Sequence, residues 1–214
     1  MTSHPLKIPL VILAATACLA GIALLVIGVG QQKVTAEMLR NDAIFVYDAP
    51  IPLNVFSLTD DEGQAFTNAS LSDQWTLVFF GYTFCPDICP LTLASITRFY
   101  DLLADNGEAQ DVQVVMISVD PERDTQEVLH NYVTYFNPEF TGASGEYADV
   151  YTLARTMNVT FNYVAMDDEN YLVNHNGEVM LIDPQGSNVG FFKPPYAPDL
   201  MRENFLAAKR YLSR

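Results

Sequence analysis

Residues Ile8 to Gly30 form an apolar run with no charge. As a helix it would span about 34 Å, enough to cross the apolar core of a bilayer. This predicts a transmembrane anchor at 8–30 behind a short tail at 1–7. A cleaved signal peptide would have a shorter apolar core. Ala15-Thr16-Ala17 offers a small-residue cut site, and Cys18 follows it as in a lipoprotein site. The run nevertheless continues well past Cys18, and no polar stretch follows, so the anchor is read as uncleaved. Gln31 to Asp42 are polar. Residues 31–49 read as a linker, and Pro50 and Pro52 stiffen the entry to a domain at 50–214.

Within that domain the pattern alternates between short strands and helices. Asn54–Leu58 and Gln64–Thr67 flank the turn Asp60-Asp61-Glu62-Gly63 as a hairpin. Thr76–Gly81 and Val112–Val119 are continuous apolar runs, the mark of strands buried on both faces of a parallel sheet. Leu91–Leu103, Thr125–Phe136 and Tyr147–Met157 read as helices, with Pro90 suited to a first helical position. Phe161–Ala165 and Tyr171–Val173 read as strands. Asn176-Gly177 is a two-residue hairpin signal joining the strand that ends near His175 to Glu178–Ile182. After the turn at Asp183–Gly186, Val189–Phe192 reads as a short edge strand and Pro198–Ser213 as a closing helix. The expected class is α/β, three layers with a mixed central sheet and helices on both faces. That element order resembles the thioredoxin layout. The loop after the first buried strand then lies at the carboxyl end of the sheet, where sites gather in open α/β sheets.

Charge narrows the partners. The chain carries a net charge of −15, and Lys7 and the amino terminus are the fixed charges before Gln31. Such an acidic domain is a poor fit for nucleic acid. The acidity serves solubility, or attraction to a basic partner. With the larger part of the chain after the anchor, the simplest topology leaves the tail in the cytoplasm. The domain then lies on the extracytoplasmic side, the periplasm of a bacterium, attached to the inner membrane.

The chain has 3 cysteines. One is in the expected anchor; Cys85 and Cys89 share the loop after the first buried strand. Thiols at i and i+4 converge on one face of a helix or tight loop. A helix amino terminus just beyond them favours thiolate. A structural disulfide, a redox dithiol and a metal site are all open to such a pair. A disulfide over so short a loop closes little chain entropy. Thiolates are soft ligands that select Cu(I) or zinc. Among the 3 histidines, His4 is in the tail and His130 is on a predicted helix, where a surface position is expected. His175 ends a strand beside a turn and is the candidate third ligand, completing a set of two thiolates and one imidazole for Cu(I) or Cu(II).

Gly81-Tyr82-Thr83-Phe84-Cys85-Pro86-Asp87-Ile88-Cys89-Pro90 resembles the signature of the Sco/SenC family, copper chaperones of cytochrome c oxidase assembly. Ser118-Val119-Asp120-Pro121-Glu122-Arg123-Asp124-Thr125 resembles that family's second motif. Tyr171-Leu172-Val173-Asn174-His175 resembles the third, followed by Leu181-Ile182-Asp183-Pro184-Gln185-Gly186. The likeness runs from about Pro52 to the end. It implies a thioredoxin-like domain holding one copper, as Cu(I) or Cu(II), through Cys85, Cys89 and His175. It also implies delivery of that copper to the dinuclear copper A centre of oxidase subunit II, with other copper chaperones as candidate partners. Asn174 stands where the family usually has Asp, and the missing carboxylate is expected to affect how the ring is oriented. Asp87, Asp120 and Asn174 are candidates for supporting contacts around the metal. Asp120 and Asp124 flank Arg123 as a helix-opening charge cluster or as support for the thiol loop.

Two other functions compete. A dedicated thiol–disulfide reductase would keep the oxidase's copper-site cysteines reduced, with Cys85 and Cys89 as its redox pair. General thioredoxin-like reductases use two residues between their cysteines and a facing cis-proline, and no proline lies between Val159 and Ile182. A peroxidase of the same class would need a Pro and Thr/Ser pattern ahead of its cysteine, which Leu77–Cys85 lacks.

Overall fold

The computed structural model describes residues 34–167 and 170–213. The anchor expected at 8–30 and the tail at 1–7 lie outside the described residues. Among those described, no helix is long and apolar enough to cross a membrane.

The strands are β1 (Ile44–Pro52), β2 (Ser57–Asp60), β3 (Ala65–Thr67), β4 (Trp75–Gly81), β5 (Val112–Ser118), β6 (Thr141–Ser144), β7 (Phe161–Ala165), β8 (Tyr171–His175), β9 (Val179–Ile182) and β10 (Ser187–Phe192). The helices are α1 (Ile88–Asp105), α2 (Gln126–Phe136), α3 (Tyr147–Thr156) and α4 (Pro198–Leu212). Eight strands form one mixed sheet in the order β1-β10-β9-β4-β5-β6-β2-β3. The pairs β4–β5 and β5–β6 are parallel and the other pairs antiparallel.

β4 is buried at every position, as its unbroken apolar run requires of a central strand. It is flanked by β5 and β9. Right-handed crossovers from β4 through α1 to β5, and through α2 to β6, put both helices on one face. α4 joins α1 there, with Phe205 edge-on to Phe99 at 5.6 Å and to Trp75 at 6.1 Å. On α1 the buried residues are Cys89, Thr92, Leu93, Ile96, Phe99 and Leu103. Their spacing is one helical stripe, so Cys89 is the first core residue of this helix.

Four expectations change. The linker expected over 31–49 already contains a helical turn at Glu37–Leu39 and most of β1. Leu39, Ile44 and Val46 are fully buried, each burial being worth about 1.5–3 kcal/mol. Pro50 and Pro52, read as stiffening the entry to the domain, fall inside β1, which is the sheet edge, where proline is tolerated. β10 is consequently not the edge; it runs between β1 and β9. Asn176-Gly177 does not make a β8–β9 hairpin. β8 pairs with β7 in a separate two-stranded ribbon, and β9 enters the main sheet. β9 is buried at all 4 positions while β8 is buried at 1 of 5, so only β9 can fill an interior place. The turn's Asn176 side chain instead accepts from Thr160 N–H and Oγ1 at 3.0 and 2.9 Å, just ahead of β7. Pro90 falls at the third position of α1, which begins at Ile88. β6, a four-residue strand containing Gly142, had no sequence signal. A Cβ at Gly142 would lie 2.5 Å from Leu129 Cγ, so the glycine lets α2 close onto the sheet.

Candidate metal centre

β4 ends at Gly81, and the chain turns through Tyr82–Asp87 into α1. Gly81 belongs there because a Cβ would sit 2.6 Å from Phe79 Cε1 and 3.3 Å from Cys89 Sγ. Cys85 lies just before the helix and is 9% exposed; Cys89, within the first turn, is fully buried. Both thiols are free. Cys89 N–H donates to Cys85 Sγ at 3.4 Å. Cys85's thiol is therefore lowered from its usual value near 9 to about 4, first by the Cys89 thiol and then, against the cost of burial, by His175 and the Asp87 and Cys89 amides. Cys89 is pushed the other way, because it donates to Cys85 and is buried. The two thiols titrate as a pair that shares a proton, and the opposite shifts put thiolate character toward Cys85, the sulfur that accepts the Cys89 amide.

His175 comes from the last position of β8. Its Nε2 lies 3.4 Å from Cys89 Sγ. Its Nδ1 lies 2.7 Å from the carbonyl oxygen of Asn176. A carbonyl can only accept, so Nδ1 carries a hydrogen and Nε2 is the ring nitrogen that faces the thiols. Phe79 and Tyr82 hold the ring edge-on at 5.8 and 6.1 Å. The two sulfurs and one ring nitrogen of Cys85, Cys89 and His175 lie within 4.8 Å of one another, a group that could hold one metal ion. Two soft thiolates with an imidazole fit copper.

The other expected residues sit further out. Asp87 is exposed and makes no side-chain cap on α1; its backbone amide serves Cys85. Asn174 is exposed and pairs with Asn162 across the ribbon. Strand alternation points it away from His175, and the Asn176 carbonyl orients the ring without a carboxylate at 174. Asp120 is fully buried. It accepts from Tyr171 Oη at 2.7 Å and from Arg123 Nε, so it meets the histidine strand rather than the thiols. Asp124 braces the thiol loop. It accepts from Thr83 Oγ1 and Ser118 Oγ at 2.6 Å each, and from Thr83 N–H at 3.2 Å. Burial raises its pKa, against the pull of those donors. α2 is capped by Thr125, not by the acids. His130 lies half-exposed on α2 with Nδ1 2.7 Å from Asp61 Oδ2 and is not part of the Cys85, Cys89 and His175 group.

Two contributors escaped the sequence. The Asn176 carbonyl carries no side-chain signal at all. Tyr82 accepts from Val173 N–H at 3.3 Å, and its only trace is its place three residues before Cys85.

Comparison with known proteins agrees with this site. The family model described as SCO1/SenC matches residues 50–208. The Arabidopsis thaliana protein SCO1 homolog 1, mitochondrial, is 35% identical over 167 residues, covering 76% of this chain and 50% of that protein. The chain spans about half the length of the mitochondrial relatives it matches. Arabidopsis thaliana ScoI, solved with copper bound, is 33% identical with a TM-score of 0.69, covering 76% of this chain and 99% of that one. Bradyrhizobium japonicum ScoI, also with copper bound, is 36% identical with a TM-score of 0.66, covering 75% and 99%. The fold is the thioredoxin-like fold of these proteins. A family match across nearly all of the domain, joined to a Cys–Cys–His cluster built on that fold, makes this chain a member of the SCO1/SenC family.

Proposed function

We propose that this chain is a metallochaperone that carries one copper on Cys85, Cys89 and His175 and delivers it to the dinuclear copper A site of cytochrome c oxidase subunit II. It would do so as a single-pass protein of the bacterial inner membrane, with its domain in the periplasm and other copper chaperones as its source. The observation that carries this reading is the convergence of two free thiols and one imidazole nitrogen within 4.8 Å. Copper supplies only the cargo. The chain's residues hold a thiolate ready at Cys85, a second sulfur at Cys89, and an imidazole pinned by Asn176. Three ligands leave room for an incoming ligand, so transfer proceeds by ligand exchange.

Anaerobic Cu(I) titration of the detergent-solubilised chain tests this. One copper per chain is expected, followed by transfer to the copper-free subunit II domain. An unchanged stoichiometry in all of Cys85→Ala, Cys89→Ala and His175→Ala defeats the assignment. The lowered Cys85 thiol beside a protonated Cys89 also favours a second reading, a dedicated thiol–disulfide reductase of subunit II. Under that reading His175→Ala leaves thiol exchange intact while copper transfer fails.

A further inference from the structure

The two halves of the cluster are attached to the molecule differently. Cys85 and Cys89 hang from β4 and α1. His175 hangs from β8, which among the described residues pairs only with β7. Apart from the short link at 176–178 that runs from His175 into β9, side chains set where the ribbon lies against the main sheet. Tyr171, Val173 and His175 share one face of β8 by the two-residue period of a strand. Val173 is tied to Tyr82 Oη, and Tyr163 Oη on β7 donates to Val119 O at 2.8 Å. The densest fastening is at Tyr171. Its hydroxyl donates to Asp120 Oδ1. Arg123 Nη1 donates to its carbonyl at 3.1 Å, and the guanidinium carbon lies 3.7 Å over its ring. The same guanidinium lies 5.8 Å from the Tyr82 ring and 5.0 Å from the Phe84 ring, the two aromatic residues leading into Cys85.

We propose that Arg123 is the positioning residue that sets His175 against the thiols, clamping Tyr171 of the ribbon to the aromatic lead-in of the thiol loop. One planar cation reaches both segments at once, and buried Asp120 fixes its orientation through Nε. Arg123 Nη2 is buried without a partner among the described residues, so this placement is kept despite an unmade hydrogen bond. Lysine keeps the charge but lacks both the fork and the flat face. The clamp acts on the histidine from about 13 Å along the strand, at roughly 3.3 Å per residue. It leaves both sulfurs untouched.

The clamp builds on the copper reading, and its test has an arm that needs no copper. Arg123→Lys and Tyr171→Leu are made in the full chain; the second removes the ring face under the guanidinium and leaves Arg123 and Asp120 in place, so it serves if the first folds poorly. Amide hydrogen exchange of the copper-free protein is expected to rise across β7–β8 and stay unchanged in β4 and β5. In the Cu(II)-loaded protein the nitrogen splitting of the paramagnetic resonance spectrum is expected to weaken at unchanged stoichiometry. Affinity is expected to fall about 10- to 100-fold, the range for a lost orienting partner. Ribbon exchange and nitrogen splitting like wild type in both variants overturn the proposal. So does exchange that rises throughout the domain in both variants, the mark of a merely structural role. If wild type binds no copper while exchange rises in the ribbon alone, the copper reading falls and the clamp stands.

Discussion

The thiol segment and the histidine ribbon supply one cluster by opposite means. Cys85 and Cys89 sit between a strand buried at every position and a helix whose apolar stripe begins at Cys89 itself. Backbone ladders on both sides of β4 hold that segment. The ribbon is ladder-bonded only to itself among the described residues, is exposed along most of β7, and meets the thiol side through tyrosines and one arginine. Under the proposed role of copper carrier, a site whose ion must leave would gain from this division. The sulfurs give affinity from a rigid base, and the nitrogen is held by bonds that can be adjusted singly.

The largest expected effects are on the rigid side. Cys85→Ala or Cys89→Ala removes half of the soft ligand set and is expected to abolish stoichiometric copper binding, read by titration. His175→Ala is expected to weaken binding while leaving two-sulfur coordination visible by X-ray absorption. Equal losses from all three would erase the contrast.

Next is Gly81→Ala. Its Cβ would press on Phe79 and the Cys89 sulfur, both buried. Overpacking of this kind costs about 1–3 kcal/mol, read by denaturant unfolding, with copper affinity falling as Cys89 shifts.

The thiol pair also predicts a pH dependence of the copper-free protein. Between about pH 4 and 9 the folded pair holds one proton, whereas unfolded thiols near their ordinary values hold two. The unfolded state binds more protons, so the pair's contribution to stability rises with pH across that window. Above 9 the unfolded thiols lose both protons while Cys89 keeps its own, so the contribution falls again. Unfolding midpoints of wild type minus a Cys85→Ser/Cys89→Ser variant should peak near pH 9; a flat difference would refute the shared proton.

The smallest effect belongs to the ribbon. Tyr163→Phe removes one hydrogen bond to Val119 O and is expected to cost about 0.5–1.5 kcal/mol. Hydrogen exchange should report the loss in β7–β8 alone.

Much of this was legible from residue order. The buried runs of β4 and β5, the helix after Cys89 and the alternation of elements carry local signals that need no partner. The motifs around Cys85 and His175 pointed to the three residues that the fold brings together as a candidate metal group. What escaped depended on neighbours. β1 looked like linker because its prolines are tolerated only at an edge, and being an edge is a property of the sheet. β6 is too short and too small to stand out, yet Gly142 is what lets Leu129 close on it. Asn176-Gly177 is a sound turn signal, but which strands a turn joins depends on which of them can be buried.

The amino-acid order alone determined the candidate ligand types, their spacing within the thiol loop, and the parallel core that carries them, because these follow from hydrophobic period and side-chain chemistry along a few consecutive residues. Only the tertiary structure decided that His175 meets Cys89, that Asn176 leaves Nε2 facing the sulfurs, and that Arg123 spans the gap between thiol loop and ribbon. Those contacts join residues dozens of positions apart, or use a backbone carbonyl common to every residue, and so leave no local pattern to read.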